Sequence, residues 1–296
     1  ADGAHVLDVN VGATGVDETT LLPEAVLAVM SVTDVPLCLD SSNPRALEAA
    51  LRVYKGRALV NSVKAEESSL NDVLALVKEH NAAVIGLTMD EQGIPADAAR
   101  RIHLAHRIVE RAEAMGLKRE DVVIDCLNIP VAANTGAGAT LVEAIAAVRR
   151  ELGVNMTLGA SNISFGLPER PVLNGVFLGM IIQIGVNCPV VDVGKVRQYA
   201  LAADQLELAG MWDDVSLCRE QLGQFADAAR ALERAGTADR ESAERLHNLL
   251  HAHLTREAAD PADAAKALYE EALAMRADGR LVRASEMNSS LREMNL

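Results

Sequence analysis

Val35-Pro-Leu-Cys-Leu-Asp40-Ser-Ser-Asn43-Pro44 contains the outline of one complete structural unit. A short apolar run ends on a carboxylate, and a polar turn follows. Asn is a strong helix N-cap, and the fixed φ of Pro suits the first helical position. The phrase therefore reads as strand, turn and helix start, with the helix running to about Tyr54 and closed by Gly56. Because Asn43 already supplies the cap, the Asp40 carboxylate is left for other work.

The same phrase recurs on both sides of this unit. His5–Asn10, Ala58–Asn61, Ala83–Asp90, Val122–Asp125, Met156–Asn162 and Pro189–Asp192 are also apolar runs that stop on Asp or Asn. Helix-like stretches separate them. Leu21–Ser31 and Ser68–His80 are two. A third, after Pro95, spaces Ile102, Ala105, Val109, Ala112 and Met115 at helical intervals and ends at Gly116. Thr140-Leu-Val-Glu143 reads as a capping box opening a fourth. A fifth reaches about Gly185, and another starts near Lys195.

Alternating strands and helices demand a parallel sheet with right-handed crossovers. The spacing predicts a TIM-type (β/α)8 barrel over residues 1–208. Seven βα units are readable where a closed barrel has eight, so the first strand is expected to be missing and to precede Ala1. The chain opens without Met, as a trimmed chain or fragment would. Residues 209–296 change character: they are rich in Ala, Glu and Arg and lack strand-like runs. An all-α extension is expected there. Ala226-Asp-Ala-Ala-Arg-Ala-Leu232 is echoed 36 residues later by Ala262-Asp-Ala-Ala-Lys-Ala-Leu268. Helical-hairpin repeats and plain amphipathic helices both account for that echo.

Composition narrows the chemistry. A net charge of -14 argues against a phosphate-binding surface for nucleic acid, and aromatics at 2% offer few stacking platforms. No apolar run is long enough for a transmembrane helix, and neither a membrane span nor a signal peptide is expected. Cys38, Cys126, Cys188 and Cys218 form no C-x-x-C pair and read as free thiols of a reducing cytoplasm. His247, His251 and His253 lack the Glu and third ligand of a zinc motif. Gly136-x-Gly138 lacks a dinucleotide fingerprint, and no metal site is expected.

What remains is the ring of strand-terminal side chains. In a parallel barrel, one end of the strands carries the active face. Asp40 and Asp125 supply acceptors there, while Asn10, Asn61 and Asn162 both donate and accept without charge. Such a set suits a polar heterocycle better than nucleophilic catalysis.

Five ordered motifs then converge on one family. They are Asp8-Val-Asn10-Val-Gly12, Pro36–Pro44, Asn61-Ser62-Val63, Ile85–Pro95 and Leu158–Arg170. Together, over about residues 1–205, they resemble the methyltetrahydrofolate:corrinoid methyltransferases. These pterin-binding barrels are related to dihydropteroate synthase and to the folate module of cobalamin-dependent methionine synthase. The resemblance implies a methyltransferase that moves the methyl group of 5-methyltetrahydrofolate to Co(I) of a corrinoid (cobalamin) carried by a partner protein, or the reverse. It also implies a cytoplasmic homodimer. Asp40, Asn61 and Asp125 match the family's pterin-holding positions. Gly159, Ser161 and Arg170 match nearby pterin contacts, with Asn10 a further candidate. Asn162 matches the catalytic amide at the methyl-bearing nitrogen.

The chain departs from the pattern in three places. The family's opening strand, with its Gly-Glu-Arg-x-Asn-like segment, has no counterpart. Cys126 stands where Pro usually follows the Asp matched by Asp125. Residues beyond about 210 do not resemble the family's short ending. Two other readings compete. One is a non-catalytic pterin-binding or scaffold protein derived from the barrel. The other is dihydropteroate synthase, which needs a Ser-Arg-Lys phrase where this chain has Ser161-Asn162-Ile163.

Overall fold

The computed structural model describes residues 4–193 and, beyond them, only Ala203, Ala228 and Ala231. Cα proximity divides the chain into two compact units, Ala1–Gly194 and Lys195–Leu296. The expected boundary at 208/209, the helix near Lys195, the helical extension with its echo, Cys218 and the three late histidines lie outside the described residues.

Among the described residues, seven strands alternate with six helices. The strands are β1 (Leu7–Asn10), β2 (Leu37–Asp40), β3 (Leu59–Lys64), β4 (Ala83–Leu87), β5 (Val122–Asp125), β6 (Asn155–Gly159) and β7 (Cys188–Val190). The helices are α1 (Glu18–Met30), α2 (Pro44–Val53), α3 (Glu67–Glu79), α4 (Ala98–Ala114), α5 (Ala137–Leu152) and α6 (Arg170–Ile184). All strands run parallel in the order β1-β2-β3-β4-β5-β6-β7. This is the curled sheet of a TIM-type barrel, with β1 and β7 at its two edges. Each has one neighbour among the described residues.

Strand alternation sorts the side chains into two layers. Val9, Leu39, Val60, Val84 and Ile124 are buried on one face. On the other face Cys38, Ile85 and Val123 form a buried cluster, with Leu59 and Leu87 packed against it. Registers Asn10↔Asp40 and Asp40↔Asn61 align three polar side chains across neighbouring strands on the same face as that cluster. Helices pack closely over the outer layer: a Cβ built on Gly86 would lie 2.8 Å from Ile108 Cγ2 of α4. No side chain larger than hydrogen fits there, so β4 carries Gly at that position.

The helix starts follow their caps. Asp17 accepts from the Thr19 N–H, Asn43 from the Arg45 N–H and Asp97 from the Arg100 N–H, each satisfying a donor that the first helical turn leaves unpaired. The capping-box expectation fails. Helix α5 starts at Ala137, so Thr140 already lies inside its first turn, donating its N–H to Gly136 O. The Asn134 side chain, which accepts from the Gly136 N–H, shapes the entry instead.

Four of the seven strand ends also differ from the sequence reading. Strand β3 continues past Asn61 to Lys64, with its register shifting between Asn61 and Val63. Strand β4 stops at Leu87, leaving Asp90 in the following turn. Strand β6 stops at Gly159, and β7 at Val190, two residues before Asp192. Asn162 therefore lies in a 3-10 turn, Ala160–Ser164, beyond its strand.

Candidate active face

The polar ring begins at the β1 edge. Asn10 Nδ2 donates to Asp40 Oδ2 at 2.7 Å, while Asn10 Oδ1 accepts from the Gly12 N–H at 2.8 Å. One amide thus links the β1–α1 turn to the β2 carboxylate. Ser41, just after Asp40, donates its hydroxyl to Glu18 of α1, and its N–H donates to Asn61 O at 2.9 Å. The tip of β2 is tied on both sides. Burial pushes the Asp40 carboxyl up to about 6; the Asn10 bond opposes the shift, and nearby Asp8 and Glu18 reinforce it. Asn61 is half-buried beside Asp40, and its side-chain amide makes no hydrogen bond among the described residues.

Asp125 ends β5. Its Oδ1 accepts from the Leu127 N–H at 2.7 Å. Leu127 holds a positive φ of 60°, a conformation uncommon for a residue with a Cβ. Burial pushes the Asp125 carboxyl up to about 6 as well, against the Leu127 hydrogen bond and the positive charge of Arg101. That arginine was missed in the sequence. It is 1% exposed, on α4, with Nε donating to Pro95 O at 3.0 Å and Nη1 to Cys126 O and Leu127 O at 2.9 and 2.8 Å. The signal was there: Arg101 sits in phase with Ala98, Leu104, Ala105 and Ile108, where an apolar stripe is interrupted by a charge.

The third part of the face is the turn after β6. A Cβ built on Gly159 would lie 3.0 Å from Asn162 Nδ2, so the Asn162 amide folds back over the strand end and Gly159 makes room for it. Asn162 is exposed. Arg170 braces this turn. It donates from Nε to Ser164 Oγ at 3.1 Å and from Nη2 to Ser161 O at 3.0 Å, and it lies 5.6 Å from the Phe165 ring centroid. Ser164 in turn donates to Asn174 Oδ1 at 2.6 Å. The β5 and β6 loops are joined by Val131 N–H to Ile163 O at 3.0 Å and by Asn128 Nδ2 to Gly159 O at 3.3 Å. Asn128 Oδ1 is buried with no partner among the described residues.

Asn10, Asp40, Asn61, Asp125 and Gly159 are thus gathered at one end of the sheet, with Asn162 over Gly159. Ser161 and Arg170 take structural roles in the adjoining turn. Asp90 is drawn off: its carboxylate pairs with Arg100 and caps the Gln92 N–H, and Arg100 holds it below the usual carboxylate range. Among the described residues no group of three metal-ligating side chains forms a cation site, and no helix is long and apolar enough to cross a membrane. Cys38, Cys126 and Cys188 are free thiols.

A family model described as pterin binding enzyme matches residues 1–192. The chain belongs to the pterin-binding enzyme family. Among curated relatives, a methionine synthase of Mycobacterium tuberculosis (strain ATCC 25618 / H37Rv) is 34% identical over 208 residues. That match covers 66% of this chain and 17% of the relative, so the chain spans under a fifth of its length. A methylcorrinoid:tetrahydrofolate methyltransferase of Eubacterium limosum is 28% identical over 193 residues, covering 64% of this chain and 71% of the relative.

Solved structures of dihydropteroate synthases share the fold. Dihydropteroate synthase of Thermus thermophilus, in complex with 6HMPPP, superposes with a TM-score of 0.51 at 20% identity, over 69% of this chain and 83% of that one. A Yersinia pestis dihydropteroate synthase, in a sulfonamide drug complex, reaches 0.55 at 17% identity, over 71% and 82%.

Proposed function

We propose that this chain binds a methylated tetrahydrofolate at the ring of strand-terminal Asp and Asn side chains. It exchanges the methyl group with the cobalt of a corrinoid carried by a partner protein. The observation that supports this reading is that Asp40, Asn61 and Asp125 lie at one end of the sheet with an exposed Asn162 amide close over Gly159, in a chain of the pterin-binding enzyme family.

The chemistry follows from the residues. The 2-amino-pyrimidinone edge of a pterin presents adjacent N–H donors, and a carboxylate accepts two of them in a charge-assisted fork. Asp40 and Asp125 are the acceptors, oriented by the Asn10 amide and the Leu127 N–H. Asn61 adds a neutral donor and acceptor. Gly159, Ser161 and Arg170 form the wall from which Asn162 projects, Arg170 acting through the turn it braces.

The methyl group departs from a tertiary amine, a poor leaving group unless its nitrogen is hydrogen-bonded or protonated as charge develops. An exposed neutral amide can follow that charge in either direction, which stabilises the transition state. The attacking electron pair would come from Co(I) when the methyl leaves the folate and from the folate nitrogen in the reverse direction, so the chain needs no nucleophile of its own. A corrinoid-binding protein is accordingly the partner. A homodimer and a cytoplasmic location complete the proposal, the latter supported by the free thiols Cys38 and Cys126. Residues 209–296 are assigned to a separate helical extension.

Calorimetric titration with 5-methyltetrahydrofolate, followed by cobalt absorbance with a reduced corrinoid protein, tests the reading. Saturable binding and a spectral change are expected. Absence of binding would overturn the pterin assignment, and binding without methyl transfer would favour the non-catalytic reading.

A further inference from the structure

We propose that Arg101 is a positioning residue for the pterin-holding carboxylate Asp125, acting through the Leu127 peptide from behind the site. The inference rests on the pterin reading above and extends it to a side chain outside the ring.

The geometry is that of a clamp. Arg101 is fully buried on α4, and all of its hydrogen bonds go to backbone carbonyls: Pro95 O, Cys126 O and Leu127 O. No carboxylate lies within ion-pair distance of it among the described residues. A buried guanidinium without an ion-pair partner is costly, and burial alone presses toward its neutral form. An apolar side chain would fill the same position in the α4 stripe without that penalty. The cost is offset locally, because Nη1 bridges two successive carbonyls and holds the chain as it leaves β5.

Between those carbonyls the backbone turns into the left-handed region at Leu127, and the turn aims the Leu127 N–H at Asp125 Oδ1. The same clamp places a fixed positive charge behind the carboxylate. On β5 and its loop, the Cys126 thiol is the other titratable group acting on this cluster, and Asp97 at the start of α4 acts on Arg101. Thr88, after β4, and Thr157, on β6, face Asp125 as neutral neighbours. Arg101 therefore fixes the direction of Asp125 and favours its ionised form.

The test uses the full chain and 5-methyltetrahydrofolate binding between pH 5 and 8, for wild type, Arg101→Met, Arg101→Lys and Asp125→Asn. In wild type, binding should strengthen as pH rises through about 6, as Asp125 and Asp40 ionise, and the Asp125 share is the difference between the wild-type and Asp125→Asn profiles. Arg101→Met should shift that midpoint to higher pH and weaken binding most below pH 7. Arg101→Lys should largely keep the midpoint but weaken binding at all pH values, because an ammonium keeps the charge but loses the separate Nε bond to Pro95 O and the rigid planar fork that fixes the loop. Combined with Asp125→Asn, Arg101→Lys should add little further loss.

A uniform loss with an unmoved midpoint in Arg101→Met, or full additivity with Asp125→Asn, would overturn the proposal. If Arg101→Met does not fold, the double-mutant cycle of Arg101→Lys with Asp125→Asn decides, and absent coupling in that cycle refutes the proposal. Failure of wild type to bind pterin would instead refute the underlying function.

Discussion

At the scale of single residues, the two carboxylates make the chemistry pH-dependent. Asp40 and Asp125 both titrate near 6 in the folded chain, against an ordinary value of 3.8. Between about pH 4 and 6 the folded state holds protons that the unfolded chain has released, so their contribution to ligand-free stability declines as pH rises through that window. A pterin donating N–H groups needs the ionised forms. Binding near pH 5.5 should therefore release protons, measurable by calorimetry in two buffers of different ionisation enthalpy. Proton uptake would contradict the assignment. Asp125→Asn should weaken pterin binding by about 1.5–3 kcal/mol, the usual worth of hydrogen bonds to a charged group, and reduce that pH dependence to the share carried by Asp40. Asn162→Ala should behave differently: kcat should fall about 10²-fold while binding changes far less, as loss of a transition-state contact predicts. Equal losses in both would remove Asn162 from the reacting nitrogen.

At the scale of elements, the sequence was legible where propensity and packing agree. Asn43-Pro44 marked α2 to the residue, because cap and Pro act locally. The strand ends were legible only in part. Asp and Asn read as strand terminators, yet they stop β1, β2 and β5 while Asn61 stays inside β3 and Asn162 moves into a turn. The difference is long-range. The 3-10 turn after β6 is held by Arg170 and Ser164, and no local propensity encodes bonds from a later helix. Arg101 escaped for the same reason: its partners are carbonyls about 25 residues away. Gly159 makes this coupling testable. In Gly159→Ala the new methyl meets the end of a mobile side chain, Asn162 Nδ2 at 3.0 Å, so the fold should survive while the amide is displaced. The expected outcome is an unchanged melting temperature with a rate loss approaching that of Asn162→Ala. A lowered melting temperature with an unaffected rate would place the crowding elsewhere. Gly86→Ala is the contrast, since its methyl would strike Ile108 and Ile124, and it should cost about 1–3 kcal/mol of stability as overpacking does.

At the scale of the whole molecule, the seven strands of the described residues were readable because each βα unit repeats the same two periodicities, and their sequential order follows when every right-handed crossover steps the same way round, as in a barrel. The division of the chain was less sharp. Composition changes at about residue 208, whereas Cα proximity separates the units between Gly194 and Lys195. The intervening segment carries no candidate site residue. Every member of the proposed ring, from Asn10 to Arg170, and every strand among the described residues precede residue 194. The bonds that orient the ring, among them Asn10 to Asp40, Leu127 to Asp125 and Arg170 to Ser161, also close within that unit. If residues 209–296 serve something other than folate binding, a chain ended after residue 208 should bind 5-methyltetrahydrofolate with the affinity of the full chain. A second chain, ended after Gly194, should do the same if the boundary lies there. Binding kept by the longer chain and lost by the shorter would assign residues 195–208 to the support of the sheet. Loss in both would make the extension part of the site's scaffold.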